Sequence, residues 1–290
     1  MNVDHNQLRG TIPSELGRMS ALKNVGIATN RLTGTIPTEV GELIGCETIL
    51  LYENSLSGTI PTELGNLSEL DRIDVCFNDL RGTIPSELGR IPGLQSVDVS
   101  TNSLTGTIST EMGYLVNCTT LFLFDNLLSG TIPTELGKMS RLVQLGLFFN
   151  NLHGTIPSEL GQATALDIVS FGENQLDGTL PTELGLWGAA FLMEYGANNF
   201  NGTLASEFAG WTNLTLLDLG SNMFTGSPAV LAKLPRLREL YIDGNLFDDL
   251  GGLCDAPNDW DVFVANVCFA DRYECSCCNE CCINDFCVAV

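Results

Sequence analysis

The chain has 290 residues, with 13 Lys and Arg against 35 Asp and Glu, for a net charge of −22. That balance argues against nucleic acid or an anionic membrane as partner and favours cationic ones. No apolar run reaches the roughly 18 residues that a membrane-spanning helix needs; the longest is about ten, from Leu184 to Met193.

From its first residues the sequence keeps one beat. Asparagines stand at Asn6, Asn30, Asn54, Asn78, Asn102, Asn126, Asn150, Asn174, Asn198 and Asn222, each 24 positions after the last. A fixed period of that size means stacked supersecondary units, so length adds turns to a solenoid and no second core. Met1 and Val3 fall on inward positions of a strand already under way, and no charged-then-apolar signal segment precedes them. Terminal repeats need a polar cover. The expectation is therefore an internal start, with a cap, signal peptide or membrane anchor upstream in a longer parent.

The unit from Asn54 to Asn78 carries the mechanics. Leu70, Ile73 and Val75 ahead of Asn78 give L-x-x-L-x-L-x-x-N, a short strand with apolar residues inward and the intervening ones outward. After the asparagine, Leu56 and Ile60 re-enter the core, Gly58 suits a bend and Pro61 ends the extended piece. Thr62 is placed to cap a short helical turn, Glu63 sits where the helix dipole favours a carboxylate, and Gly65 is expected to stop it.

The strand pattern joined to N-x-L-x-G-x-I-P resembles the plant-type leucine-rich repeat, over about 250 residues. The resemblance implies an α/β repeat solenoid: a right-handed superhelix of about ten 24-residue repeats, with a parallel concave sheet and short helical or 3-10 convex segments. It also implies a binding role, without naming a ligand. Departures from the unit are few. Ser109 and Ala205 replace the proline, Ala190, Met193 and Tyr195 fill strand core positions, and one residue is lost at Gly226-Ser227-Pro228, which moves the last ladder asparagine to Asn245.

Two exposed rows accompany the beat. Thr11, Thr35, Thr59, Thr83, Thr107, Thr131, Thr155, Thr179 and Thr203 form one rank per turn. β-Propensity in a second short sheet accounts for it, and a flat ice-binding face at the ~4.8 Å strand spacing is the alternative. The row Glu15, Glu39, Glu63, Glu87, Glu111, Glu135, Glu159, Glu183, Glu207 follows helix-start preference, with cation binding as its alternative. His5 and His153 have no nucleophile or carboxylate set beside them by the repeat, and no phosphate loop or H-E-x-x-H pattern occurs. Neither enzymatic activity, nor a cofactor, nor a metal is expected.

Of 11 cysteines, Cys46 and Cys118 replace core leucines, and Cys76 occupies an outward position between Tyr52 and Ser100, where it reads as a free surface thiol. The other eight, Cys254, Cys268, Cys275, Cys277, Cys278, Cys281, Cys282 and Cys287, crowd into residues 254–290. That acidic segment is too polar and short to fold on apolar burial alone, which favours disulfides of unreadable connectivity, with thiolate metal binding as the rival. The domain expectation is a solenoid over 1–253 and a stapled cap over 254–290. The C-x-C-C-x-x-C-C pattern resembles the tails of diatom leucine-rich-repeat proteins that lack a kinase domain. Sequons at Asn66, Asn117, Asn201 and Asn213 are compatible with secretion.

Outward positions of the concave strands are free of packing duty, and acids dominate them. Among the acids lies an aromatic group, Phe122, Phe124, Phe148 and Phe149, with Tyr52 and Phe77 nearer the N-terminus, and Asp98, Asp125 and Glu173 at its border. Beside Phe148 the column continues as Gly172, Gly196 and Gly220, a side-chain-free floor. Clustered apolar groups on an exposed sheet are seldom idle. These residues make the chain a candidate extracellular or cell-surface recognition module that binds a peptide or protein with basic and apolar groups. The alternative is a structural, adhesive or ice- or mineral-interacting surface protein that uses the Thr or Glu row.

Overall fold

The computed structural model describes residues 1–248, 250–254, 262–265, 280–283 and 286–289, and it divides into two compact units, Met1–Leu152 and His153–Val290. In the first unit, strand Asn24–Gly26 pairs in parallel with Thr48–Leu50, and the series continues through Arg72–Asp74, Ser96–Asp98, Thr120–Phe122 and Gln144–Gly146. Val25, Ile49, Ile73, Val97, Leu121 and Leu145 stand opposite one another, so the 24-residue period of the sequence is the register of this sheet. All six are buried, which is what holds the register: a slip of one residue would turn every one of them to solvent.

The second unit repeats the arrangement over Ile168–Ser170, Leu192–Glu194 and Leu216–Asp218. Leu216 then pairs with Glu239 and Leu217 with Leu240, one residue short of the period, as the loss near Ser227 requires. Strand Val262–Ala265 continues in parallel from Glu239–Tyr241, and Glu280–Ile283 and Phe286–Ala289 close as an antiparallel pair. The core of this unit is more aromatic. Tyr195, fully buried, lies 5.6 Å from Phe171 and 6.0 Å from Phe200 between ring centroids, so the irregular core residues pack as well as the leucines they replace.

Ladder asparagines join the turns. Asn78 Nδ2 donates to the carbonyls of Leu51, Val75 and Cys76, and its Oδ1 accepts from Leu56 N–H at 2.9 Å. One side chain thus satisfies groups on its own turn and on the preceding one, as buried backbone polar groups require.

Two local expectations change. The convex segments are 3-10 turns such as Thr62–Asn66, but the residue before the turn is Pro61, and the Thr62 hydroxyl donates to the Glu63 carboxylate at 3.3 Å instead of capping. Gly65 lies inside the turn, and a Cβ placed there would come 2.4 Å from Glu87 Cβ. Its role is close packing of consecutive convex segments and not helix termination.

The second sheet has a different register from the first. Thr11 pairs with Thr33, and Thr35 with Ser57, 22 residues on in each case. Threonines 24 apart are therefore staggered by two residues, which puts them roughly 8 Å apart and not one strand spacing apart. Threonine methyls pack on the glycine of the next turn within each unit: a Cβ on Gly34, which sits at φ +78°, would be 2.8 Å from Thr11 Cγ2.

Candidate functional site

The four phenylalanines of the first unit come together on the outward face of the long sheet. Phe124 and Phe148, on neighbouring strands, stack with ring centroids 4.4 Å apart and planes 11° from parallel. Phe122 meets Phe124 edge-on at 5.7 Å, and Phe149 meets Phe148 in the same way at 5.6 Å. The register builds this group, because alternate residues face outward and adjacent strands bring equivalent positions side by side. Gly146 makes room for it. A Cβ there would lie 3.0 Å from Phe124 Cδ1 and 3.1 Å from Phe122 Cδ1. Phe122, Phe124 and Phe148 are half-buried and Phe149 is 52% exposed, so the group is a platform on the sheet and no part of the core.

The residue before each ladder asparagine is left-handed, a feature that sequence reasoning missed. Phe77, Asp125 and Phe149 take φ of 52°, 53° and 52°. Asp125 lends its N–H to the Phe148 carbonyl of the following turn at 2.9 Å, and Phe77 lends its own to the Ser100 carbonyl at 3.2 Å. A bulky side chain in that region is unfavourable; at Phe149 this is offset by the edge-on contact with Phe148, whereas Phe77 is 51% exposed. No local sequence signal marks the position apart from its place in the period. Among the described residues no ring contact joins Tyr52 or Phe77 to the four-ring group.

Acids border the platform. Asp98 pairs in register with Phe122 on one side and with Asp74 on the other. Asp74 is buried and held by Arg72 Nη2 at 3.0 Å, while Asp98 Oδ1 accepts from the Ser100 hydroxyl at 2.6 Å and the Ser100 N–H at 3.0 Å. Burial, with the Asp74 charge adding to it, pushes the Asp98 carboxyl up. Burial and the charges of Asp4 and Asp74 do the same to the Tyr52 phenol.

Cys76 corrects an expectation. It is 7% exposed, so it is no surface thiol, and burial with the Asp98 charge drives its thiol well above the ordinary range. The ligand-capable atoms of Asp74, Cys76 and Asp98 lie within 4.8 Å of one another, the one such group among the described residues. Cys46 and Cys118 are buried as expected, and the Cys118 thiol donates to the Thr120 carbonyl at 3.2 Å.

In the second unit, Glu173 is exposed in the same left-handed position, at φ 54°, its N–H donating to the Gly196 carbonyl at 2.9 Å. The expected open glycine floor is not open there. Carboxylates fold down onto it: a Cβ on Gly196 would be 2.6 Å from Asp218 Oδ2, and one on Gly220 would be 2.9 Å from Asp243 Oδ1. Asp218 Oδ1 accepts from Gly220 N–H at 2.8 Å, and burial, helped by the charges of Asp243, Glu194 and Glu173, pushes its carboxyl up to about 6.

A second concavity in the first unit is an open groove of about 1180 Å³ lined by Thr11 to Glu15 and the matching residues of the next turns, as far as Pro85. Of the tail cysteines, Cys268, Cys275, Cys277 and Cys278 lie outside the described residues. Cys254, Cys281, Cys282 and Cys287 are described only in backbone, where Cys282 and Cys287 are register partners.

Comparison with known proteins agrees with this fold. The leucine rich repeat family model matches residues 196–247. No curated protein matches the chain. A crystal structure of a TDR receptor is similar at a TM-score of 0.84 and 32% identity, over 88% of this chain and 45% of that one. The plant peptide hormone receptor RGFR1 in complex with RGF2 is similar at 0.77 and 30%, over 89% and 45%. The Arabidopsis receptor kinase HAESA, in complex with the peptide hormone IDA and the co-receptor SERK1, is similar at 0.71 and 29%, over 86% and 46%. The chain thus spans under half the length of these receptors, and its fold is that of a leucine-rich-repeat solenoid whose structural neighbours include plant receptors.

Proposed function

We propose that the chain is an extracellular or cell-surface recognition module, non-catalytic, that binds a peptide or protein ligand on the outward face of its long sheet. The observation that carries this reading is the four-phenylalanine platform: stacked rings left on a solvent-facing sheet, one of them, Phe149, in a left-handed backbone position that disfavours a bulky residue. Asp98 and Asp125 beside it, and a net charge of −22, suit a partner with an apolar anchor flanked by Lys or Arg. Among the similar structures, RGFR1 and HAESA carry peptide hormones. In this reading residues 254–290 form a disulfide-stapled cap, as befits a secreted chain.

The test is a titration of the chain against peptides selected from a random library. Phe124→Ala with Phe148→Ala should leave the fold intact, because the rings are outside the core, and should weaken binding by on the order of 2 kcal/mol, about 30-fold. Unchanged affinity in the folded double variant would remove the assignment.

A second reading, surface adhesion or ice and mineral contact, draws on the groove, its exposed threonine row and its partly exposed glutamate row. The stagger of the threonines, and the packing of their methyls on glycine, weigh against a flat lattice-matching face.

A further inference from the structure

The register of the first unit fixes what a ligand seated on the rings meets next. Phe122, Asp98 and Asp74 occupy one column on three successive strands. Of the two carboxylates, Asp74 is paired with Arg72 at 3.0 Å. Asp98 is oriented by Ser100, and among the described residues no ion pair engages it. A fixed, partly covered carboxylate therefore stands one strand from the platform.

Strands Ser96–Asp98 and Thr120–Phe122 are paired on both sides, so their backbone groups are spent and a ligand has no edge to extend there. Recognition falls to side chains, and an extended peptide laid across the strands meets successive columns. From Asp98, which is in register with Phe122, to the midpoint of the Phe124–Phe148 stack is one and a half strand spacings across and two residues along, a diagonal of about 10 Å. Two residues of extended chain laid along that diagonal cover about 6.7 Å and place side chains i and i+2 on one face, and a Lys or Arg side chain leaning toward Asp98 spans the remaining ~3 Å.

Resting on the recognition reading above, we propose that this face selects an extended peptide in which a Lys or Arg stands two residues from an aromatic or large aliphatic side chain. The cation sits over Asp98 and the apolar group lies on the Phe124–Phe148 stack. Charge complementarity supports this occupant, and a second copy of so acidic a chain is a poor substitute.

Selection of random 12-residue peptides on the immobilised full chain, followed by titration of synthetic winners, tests the proposal. Enriched sequences should share the two-residue spacing. Moving the basic residue by one position should cost at least tenfold in affinity. Asp98→Asn should lower affinity for the basic peptide about tenfold yet leave its Arg→Gln counterpart unchanged, with circular dichroism reporting an intact fold. Winners that depend on Phe124 and Phe148 but show no preferred spacing, or no coupling to Asp98, would overturn this inference and leave the site itself standing. Winners indifferent to the phenylalanines, or no winners at all, would overturn both.

Discussion

Asn126→Ala tests how the ladder holds the platform's own repeat. Asn126 is 6% exposed, its Nδ2 donates to the carbonyls of Val99, Leu123 and Phe124, and its Oδ1 accepts from Leu104 N–H at 3.0 Å. The three carbonyls each keep another donor: Asn102 Nδ2 for Val99, Asn150 Nδ2 for Leu123 and Thr101 N–H for Phe124. Leu104 N–H is left without a partner in a buried site, at about 1–3 kcal/mol, and the weakened carbonyl bonds bring the total to about 3 kcal/mol. Stability in a repeat chain is passed between neighbours, so the assay should be local as well as global. Amide exchange at Leu104 should accelerate about 150-fold, alongside a lower urea midpoint. Asn6→Ala, at an exposed asparagine, should stay within about 0.5 kcal/mol of the parent. A cost below about 1 kcal/mol at Asn126, or equal effects at the two positions, would refute the reasoning.

Gly65→Ala should destabilise by more than about 2 kcal/mol because its Cβ meets Glu87, whereas Gly45→Ala, whose nearest neighbour would be 3.8 Å away, should be nearly neutral; thermal melts of both distinguish packing from helix termination. The Asp218 carboxyl, at about 6 in the fold and about 3.9 unfolded, favours the protonated folded chain. Its contribution to stability is full below pH 4 and falls as pH rises to about 6, by roughly 1–2 kcal/mol after allowance for partial exposure. Asp218→Asn should flatten that part of the urea-midpoint profile, and an unchanged slope would assign it elsewhere. Cys46, Cys76 and Cys118 should resist alkylation until the chain unfolds, whereas rapid labelling of Cys76 would restore the surface-thiol expectation. Non-reduced mass spectrometry of secreted protein should find no free thiol in residues 254–290; eight alkylatable cysteines or bound zinc would exclude the disulfide cap.

The period reveals much of this because it is a physical register. Positions 24 apart become neighbours in the long sheet, so the inward leucines, the asparagine ladder and the Phe124–Phe148 pair are legible from spacing alone. What spacing cannot give is the offset between turns where the chain runs at a slant, and the second sheet pairs at 22 for that reason. Nor does it give side-chain reach. Asp218 bends onto Gly196, and Cys76 lies among the oxygens of Asp74 and Asp98, both through contacts that depend on how far each side chain extends from its strand. The left-handed residue before each asparagine follows from the hydrogen bonds of the turn, which leave no mark on residue choice when Phe, Glu, Thr and Ala all occupy it.

Hydrogen exchange of the full chain with and without a selected peptide tests the central claim most directly. Protection confined to residues 96–101, 120–125 and 144–149 is the expected footprint. Protection that falls instead on the Thr11–Glu15 groove and its counterparts in the next turns, with the phenylalanine strands unchanged, would contradict recognition on the sheet face.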